Sequence, residues 1–311
     1  MKSKTELQYP NFLIIGAGKS GTTSVYNYLK QHPQVYMSPV KEPDFFALEG
    51  QEAVKPEDDI EETHNYPWAV FKLDDYKKLF ANVKNEKAVG ESSTMYLYKP
   101  DTHLRIKKYV PNVKMIAIFR DPVSRLYSRY LHLARENRLP SESFEDAFDK
   151  DSVWWRRDDL IPEGFFYKHL SKYFQTFKPE QFKILLFEDL RENTNKVIKE
   201  LYQFLDIDDS FIPQTDIRYN ESGFVKNKFK DKFIGQQSFI RKGVEKIFPN
   251  FINKLRNSTS MQKIVTKMRS KNLEKPKLSP EIRKRLINEI YKEDILKFQK
   301  LINRDLSKWL E

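Results

Sequence analysis

The segment FLIIGAGKSGTTS (residues 12–24) combines glycine, lysine and hydroxyl side chains in a spacing close to that of a triphosphate-binding loop. Such a loop reads G-x-x-x-x-G-K-[ST], where the lysine reaches the terminal phosphates and the hydroxyl group ligates magnesium. Here Gly16 and Gly21 have that spacing, but Thr22 takes the place of the lysine, and Lys19 lies two residues before the second glycine. A magnesium-bound terminal phosphate is therefore not the ligand that this segment favours.

The same segment still predicts a site for a phosphate group. A glycine turn that opens a helix presents backbone N–H groups and the positive end of the helix dipole to an anion. The amides of residues 20–24 meet this description, and hydroxyl donors come from Ser20, Thr22, Thr23 and Ser24. The compact ammonium group of Lys19 adds a positive charge.

The elements around this loop predict an α/β fold. Apolar runs typical of strands occupy residues 12–17, 87–97 (ending in a polar turn), 113–122 and 182–190. Segments with helical spacing occupy residues 22–33, 101–110, 123–136, 164–177 and 194–205. This alternation predicts a P-loop-like parallel central sheet flanked by helices on both faces, with ligands at the carboxyl ends of the strands.

We expect one domain over residues 1–311, with a core at 11–215 and a basic, helical C-terminal extension at 225–311. In that extension Ser279 is expected to cap a helix, with Pro280 in its first turn.

The composition limits the classes of function. Cysteine is absent, which excludes disulfides and thiolate zinc sites, and we predict no metal site. The N-terminal apolar run is short and leads into the glycine turn, so we expect a cytoplasmic protein without a signal peptide or transmembrane segment. The net charge of +11 indicates attraction to anions. Because much of the excess charge recurs around every helix face after residue 225, it is interpreted as solvated surface, and no nucleic-acid partner is predicted.

Several segments together resemble the sulfotransferases that use 3′-phosphoadenosine 5′-phosphosulfate (PAPS). KSGTTS (19–24) after a strand is similar to their 5′-phosphosulfate loop. MIAIFRDPVSRLYSRYLH (115–132) is similar to their 3′-phosphate motif, and YKEDILKFQKLINRDLSKWL (291–310) to their C-terminal ending. The resemblance implies that Arg120 and Ser128 bind the 3′-phosphate, and that Lys19 neutralises the departing 5′-phosphate. The implied product is adenosine 3′,5′-bisphosphate (PAP).

A further segment, SPVKEPDFFAL (38–48), resembles the E-x-x-F-F element of heparan-sulfate-type sulfotransferases. The resemblance implies that Glu42 is the general base, with Phe45 and Phe46 as an apolar wall that raises its pKa. No histidine stands in a motif that would make it the base.

GESSTMYL (90–97) resembles the family's G-E-K-[ST]-x-x-Y stretch, but Ser92 replaces the lysine, which argues against a heparan-like polyanion as acceptor. Phe166 stands where the family often has tyrosine, and we expect it to pack in the core.

The implied activity is sulfuryl transfer to a hydroxyl or amine of a glycan, lipid or small-molecule acceptor. Two alternatives stay open from the residues alone. One is a P-loop nucleotide kinase or hydrolase, and the other is a basic anion-binding protein without catalysis. Neither the acceptor nor the oligomeric state is encoded in a readable motif. RYNESGFVKNK (218–228) resembles the segment ahead of the family's cofactor-clamping loop, which makes Lys226 and Lys228 candidates for contact with the nucleotide, and no motif decides between them or requires either.

Overall fold

The computed structural model describes residues 9–52, 68–136, 138–139, 141, 143–215, 224–225, 273–274 and 277–311. The chain divides into two compact units. The first comprises Met1–Leu126, Ser141–Pro213 and Ser279–Glu311, and the second comprises Tyr127–Pro140 and Gln214–Leu278. Lys226, Lys228 and most of the predicted basic extension lie outside the described residues.

A five-stranded parallel sheet forms the centre of the first unit, in the order β2-β3-β1-β4-β5. Its strands are β1 (Phe12–Gly16), β2 (Val35–Met37), β3 (Ala88–Ser92), β4 (Lys114–Phe119) and β5 (Phe182–Leu186). The central strand, FLIIG, is buried along its whole length, as expected for a strand covered on both faces. Its neighbour must carry glycine at Gly90, because a Cβ there would lie 2.4 Å from the Phe12 ring.

Helices connect and flank these strands, which confirms the predicted fold class. In chain order they are α1 (Thr22–Leu29), α2 (Phe45–Leu48), α3 (Leu73–Lys78), α4 (Thr102–Tyr109), α5 (Pro122–Arg135), α6 (Val153–Arg156), α7 (Phe166–Thr176), α8 (Phe187–Glu192), α9 (Thr194–Phe204), α10 (Pro280–Arg285) and α11 (Lys292–Ile302). A π-helical segment, Leu286–Tyr291, joins α10 to α11.

Two strand predictions need correction. The short strand β2 was not predicted, because three residues carry too little periodicity to be recognised. The predicted strand 182–190 ends at Leu186, and residues Phe187–Glu192 form α8 instead. Two acidic residues in the first turn of α8, Glu188 and Asp189, favour the helix N-terminus there.

The C-terminal segment belongs to the first unit and packs on α7. The Phe298 ring lies 4.7 Å from the Phe119 ring and 5.5 Å from the Phe166 ring, so Phe166 packs in the core as expected. Asp294 accepts backbone hydrogen bonds from Tyr167 and Lys168 in the first turn of α7, at 3.0 and 3.2 Å. The predicted cap is also present: the Ser279 hydroxyl accepts from the Ile282 amide.

In the second unit, the described residues comprise the end of α5 and two short strands. The rings of Tyr127 and Tyr130 stack within α5 with centroids 6.1 Å apart. Strands β6 (Phe224–Val225) and β7 (Leu273–Glu274) pair antiparallel. Across all the residues that the structure describes, no helix is both long and apolar enough to cross a membrane.

Candidate active site

Three of the predicted site residues lie after the carboxyl ends of strands in the central sheet. Lys19 follows β1, Arg120 follows β4 and Glu42 follows β2. Glu91 lies near the end of β3. Because all five strands are parallel, these residues share one edge of the sheet, where ligands of open α/β folds bind.

The turn between β1 and α1, residues 16–21, contains three residues with positive φ. Gly16 and Gly21 have φ values of 151° and 100°, which favour glycine, and Lys19 has φ 63°. The Ala17 amide donates to the Ile118 carbonyl at 2.8 Å, which ties the turn to β4. Gly21 is the N-cap of α1 and supplies no side-chain cap. The helix therefore begins with its positive end at the turn.

The predicted hydroxyl donors differ in exposure. Ser20 and Thr22 are buried, whereas Thr23 and Ser24 are partly exposed. The Ser20 hydroxyl donates to the Gly18 carbonyl at 3.5 Å, within the turn.

The two predicted anion segments meet in the structure. Nη1 of Arg120 donates to the Lys19 carbonyl at 3.4 Å, so the arginine after β4 reaches the turn after β1. Burial lowers the pKa of Arg120 from its usual value. Its guanidinium lies 4.8 Å from the centroid of the Phe187 ring, and a Cβ on Gly21 would lie 3.3 Å from that ring. Phe187 was not predicted as a site residue, because it falls inside the predicted strand 182–190 and its local sequence gives no signal of a contact with the turn.

Ser128, the predicted partner of Arg120 on the 3′-phosphate, lies in α5 and belongs to the second unit. Its side chain is buried. Its role in phosphate binding stays a prediction.

Glu42 is held in an unusual backbone conformation at the edge of the sheet. Its φ is 58°, and its amide donates to the Ser92 carbonyl at 2.9 Å. Its carboxylate forms an ion pair with Lys41, and 20% of the side chain is exposed. Glu42 therefore presents a partly exposed carboxylate whose backbone is anchored to the end of β3.

Two further carboxyl groups lie buried behind this position. Glu91 is fully buried and accepts hydrogen bonds from Ser93 at 2.8 Å and Tyr76 at 3.2 Å. Burial raises its pKa to about 7, although these hydrogen bonds oppose the shift. Burial, together with the charges of Glu42 and Glu91, raises the pKa of Asp44 well above its usual range. Among the residues that the structure describes, neither carboxyl oxygen of Asp44 has a hydrogen-bond partner.

The aromatic pair after Glu42 packs inward. Phe45 and Phe46 are fully buried, and both rings contact Tyr76, with centroids 4.5 and 5.1 Å away. Through these rings α2 takes part in an aromatic cluster, which fixes the position of the segment that carries Glu42.

The buried histidine of α7 fits a structural role. Nε2 of His169 donates a hydrogen bond to the Pro162 carbonyl at 2.8 Å, and burial lowers the pKa of His169 to about 4. Within the described ranges, no group of three or more potential ligand side chains is placed to hold a metal ion.

A second residue that the sequence did not reveal is Glu163. Its Oε1 accepts from the Gly18 amide at 2.6 Å, inside the turn between β1 and α1. A lone glutamate 145 residues away in the chain gives no sequence signal of that contact.

A glycine turn after the central strand, reached by an arginine from the adjacent strand, lies at the edge of the sheet where ligands of open α/β folds bind. The chain belongs to the sulfotransferase domain family, which it matches over residues 9–309. This match confirms the predicted family and disfavours the kinase and non-catalytic alternatives.

Individual relatives agree with this assignment. The chain is 25% identical over 252 residues to human carbohydrate sulfotransferase 15, covering 64% of this chain and 44% of that protein. It is 27% identical over 217 residues to human bifunctional heparan sulfate N-deacetylase/N-sulfotransferase 3, covering 66% and 23%. The chain thus spans less than half the length of these curated relatives. The crystal structure of a sulfotransferase from Alicyclobacillus acidocaldarius aligns with a TM-score of 0.69 and 26% identity, covering 98% of this chain and all of that one.

Proposed function

We propose that this chain is a PAPS-dependent sulfotransferase that transfers a sulfuryl group to a hydroxyl or amine of an acceptor. The observation that carries the proposal is the contact between Arg120 and the Lys19 turn at the ends of adjacent strands. One nucleotide with phosphates at both the 3′ and 5′ positions can use these two cationic sites together.

The residues present fit such a nucleotide. The turn at residues 16–21, the N-terminus of α1 and Lys19 suit the 5′ end, while the fork of Arg120 suits a phosphate monoester at the 3′ position. Ser128 would join Arg120. When bound, PAPS supplies the sulfuryl group and leaves as PAP. The Lys19 ammonium would then neutralise charge on the departing phosphate oxygen.

The chain must also activate the acceptor. In our proposal the Glu42 carboxylate takes the proton of the attacking hydroxyl or amine. Its partial exposure leaves the carboxylate reachable, and its ion pair with Lys41 places a positive charge beside it. Most of the remaining contribution is positioning of the acceptor in line with the leaving oxygen.

The names of the curated relatives direct the search for an acceptor towards carbohydrates. Ser92 at the end of β3, where heparan-type enzymes usually have lysine, favours a sugar acceptor with few negative charges. The cytoplasmic location expected from the sequence stays a prediction.

Binding of PAP to the full chain tests the proposal. Isothermal titration with EDTA present should show metal-independent binding. Lys19→Ala and Arg120→Ala should each weaken it about a hundredfold, because each removes a charged contact to phosphate. Lys84→Ala removes an exposed lysine of the same charge and should leave binding unchanged. Binding of MgATP without binding of PAP would contradict the proposal and support a kinase.

Transfer is then tested with labelled PAPS and a panel of neutral and acidic oligosaccharides, lipids and small alcohols. We expect label in a carbohydrate hydroxyl, and we expect none with Lys19→Ala. Label transferred equally well by Lys19→Ala would contradict the proposed role of that lysine.

A further inference from the structure

A buried ion pair contacts the turn of residues 16–21 between β1 and α1, here named the anion turn. Glu163 Oε1 accepts from the Gly18 amide at 2.6 Å, and Glu163 Oε2 pairs with Nη1 of Arg125 at 2.7 Å. The side chain of Glu163 is 3% exposed and that of Arg125 is fully buried. The two side chains therefore form a continuous link from α5 to the backbone of the turn.

Glu163 itself lies on a segment that is held from several sides. Arg125 also donates to the carbonyls of Asp159, at 3.2 Å, and Leu160. The Tyr291 hydroxyl donates to the Ile161 carbonyl at 3.1 Å. These contacts fix the position of the Glu163 carboxylate.

The contact between Glu163 and the Gly18 amide also leaves no room for a side chain at position 18. A Cβ added to Gly18 would lie 2.8 Å from Glu163 Oε1. The next residue, Lys19, has φ 63°, a conformation that costs energy for any residue with a side chain. A charged acceptor makes a strong hydrogen bond with the Gly18 amide, and this bond helps to hold the conformation of Lys19.

A carboxylate in this position brings an electrostatic cost for a protein that binds a polyanion. Its negative charge lies within hydrogen-bond distance of the turn that must accept a phosphate. Because Arg125 pairs with it out of contact with water, the charge is neutralised locally. The carboxylate can thus hold the turn without repelling the ligand only while Arg125 is present.

We propose that Glu163, neutralised by Arg125, is a positioning residue that holds the Gly18 amide and so sets the shape of the anion turn. This inference rests on the proposed function for its link to the nucleotide. It assigns to Arg125 the separate task of cancelling a charge that would otherwise repel the phosphate.

The two roles predict an unusual pattern of PAP affinities. Glu163→Gln keeps an oxygen for the Gly18 amide and removes the charge, so we expect a loss of only severalfold. Arg125→Met leaves an unpaired buried carboxylate under the turn, so we expect a loss of about a hundredfold. The double variant removes that charge again and should bind about tenfold more tightly than Arg125→Met.

The matched control is Arg157→Met, which breaks the buried pair of Arg157 with Asp159, whose side chains are 2% and 9% exposed. It should lower thermal stability with little effect on PAP affinity. A double variant that binds PAP as weakly as Arg125→Met, or more weakly, would overturn the proposal, because it would show that the unpaired Glu163 charge is not what weakens PAP binding.

A second measurement needs no ligand. In the unliganded chain, hydrogen exchange at the Gly18 amide should stay protected in Glu163→Gln and lose protection in Glu163→Ala, even if Arg125→Met does not fold. Equal protection in these two variants would overturn the positioning role. Absence of PAP binding by the unmodified chain, with Gly18 protection behaving as expected, would instead overturn the proposed function.

Discussion

Lys19 and Glu42, the residues proposed to act on the leaving phosphate and on the acceptor, share a left-handed backbone conformation. Their φ values are 63° and 58°, and each conformation costs about 1 kcal/mol for a residue with a side chain. Such conformations persist when neighbouring contacts hold them, and they concentrate at functional sites. Here the Gly18 amide is held by Glu163, and the Glu42 amide is held by the Ser92 carbonyl. The shared geometry supports a positioning requirement at both residues.

Substitution of the proposed base separates turnover from nucleotide binding. We expect Glu42→Gln to lower kcat by about a hundredfold or more and to leave PAP affinity within about twofold, because the amide cannot accept the acceptor's proton. Sulfuryl transfer to the identified acceptor and PAP titration measure the two quantities. Glu49→Gln removes a carboxylate of the same segment that pairs instead with the Tyr109 hydroxyl, and it should leave both quantities near the values of the unmodified chain. An equal loss of PAP affinity and kcat in Glu42→Gln would contradict the role of a base.

Glu91 predicts a pH dependence of stability. Its pKa is about 4.5 when exposed and about 7 in the fold, so the folded chain holds a proton between these values that the unfolded chain releases. Its contribution to the free energy of unfolding is therefore complete below pH 4.5 and is lost as the pH rises through about 7. The size of this loss is roughly 3 kcal/mol.

Urea unfolding of Glu91→Gln at pH 4 and pH 8 measures this effect. The variant should gain stability relative to the unmodified chain at pH 8, and part of the slope should remain because Asp44 shifts in the same direction. Glu180→Gln, which changes an exposed carboxyl, should leave the pH profile unchanged. An unchanged profile in Glu91→Gln would contradict the raised pKa.

The contrast between Lys19 and Glu163 shows what the sequence can predict about single residues. Lys19 was identifiable because its neighbours in the chain, Gly16 and Gly21, carry the signal of a phosphate turn. Glu163 and Phe187 act on the same turn from distant parts of the chain, and nothing in their local sequence records that contact. The burial of Glu91 was also not predictable, because a polar residue at a strand end can be buried or exposed and tertiary packing decides which.

At the level of elements, continuous apolar runs identified β1 and β4 because both strands are buried on both faces. The end of β5 was placed too late, since the residues after Leu186 remain apolar enough to extend a strand. The C-terminal helices were predicted from a serine cap and helical spacing, but not their contacts with the rest of the first unit.

One such contact joins α10 to the turn that carries Arg120. Arg283 pairs with Asp121 at 2.6 Å and also donates to the Glu311 carbonyl at 2.9 Å. Asp121 in turn caps α5, accepting from the Val123 amide and the Ser124 hydroxyl. The C-terminal segment thereby braces the residue next to Arg120.

We expect Arg283→Leu to lower PAP affinity severalfold and to lower the free energy of unfolding by about 1 kcal/mol. Without Arg283, the negative charge of Asp121 is no longer paired and competes with the phosphate for Arg120. Arg285→Leu is the matched control, since Arg285 lies in the same helix and pairs with Glu145 and Glu289. It should change PAP affinity little. Titration of both variants measures the difference, and equal affinities for PAP would contradict the bracing role.

At the scale of the whole molecule, strand order decides whether the predicted motifs form one site. The alternation of strands and helices predicted a parallel sheet but not the order β2-β3-β1-β4-β5. That order makes β1 and β4 neighbours, which brings the Lys19 and Arg120 turns into contact although 101 residues separate them in the chain. The net charge of +11 did not predict the position of the site, because charge alone does not identify where an anion binds.

The adjacency of these two turns yields a prediction about the stability of the whole chain. A ligand that binds only the folded state raises the free energy of unfolding by about 2.7 kcal/mol at a hundredfold excess over its Kd. For a chain of this size PAP should then raise the melting temperature by roughly 5 °C, without magnesium. At equal concentration, adenosine 5′-monophosphate and adenosine 3′-monophosphate should each give a smaller rise, because each occupies only one turn.

The Arg120→Ala variant makes this test specific. Without the guanidinium, the 3′-phosphate loses its main partner, so PAP and adenosine 5′-monophosphate should stabilise the variant equally. Lys19→Ala should instead reduce stabilisation by both of these ligands, because they share the 5′-phosphate. Thermal unfolding of the three proteins with each nucleotide in EDTA measures all of these shifts. An undiminished preference of Arg120→Ala for PAP would show that the two turns do not bind opposite ends of one nucleotide.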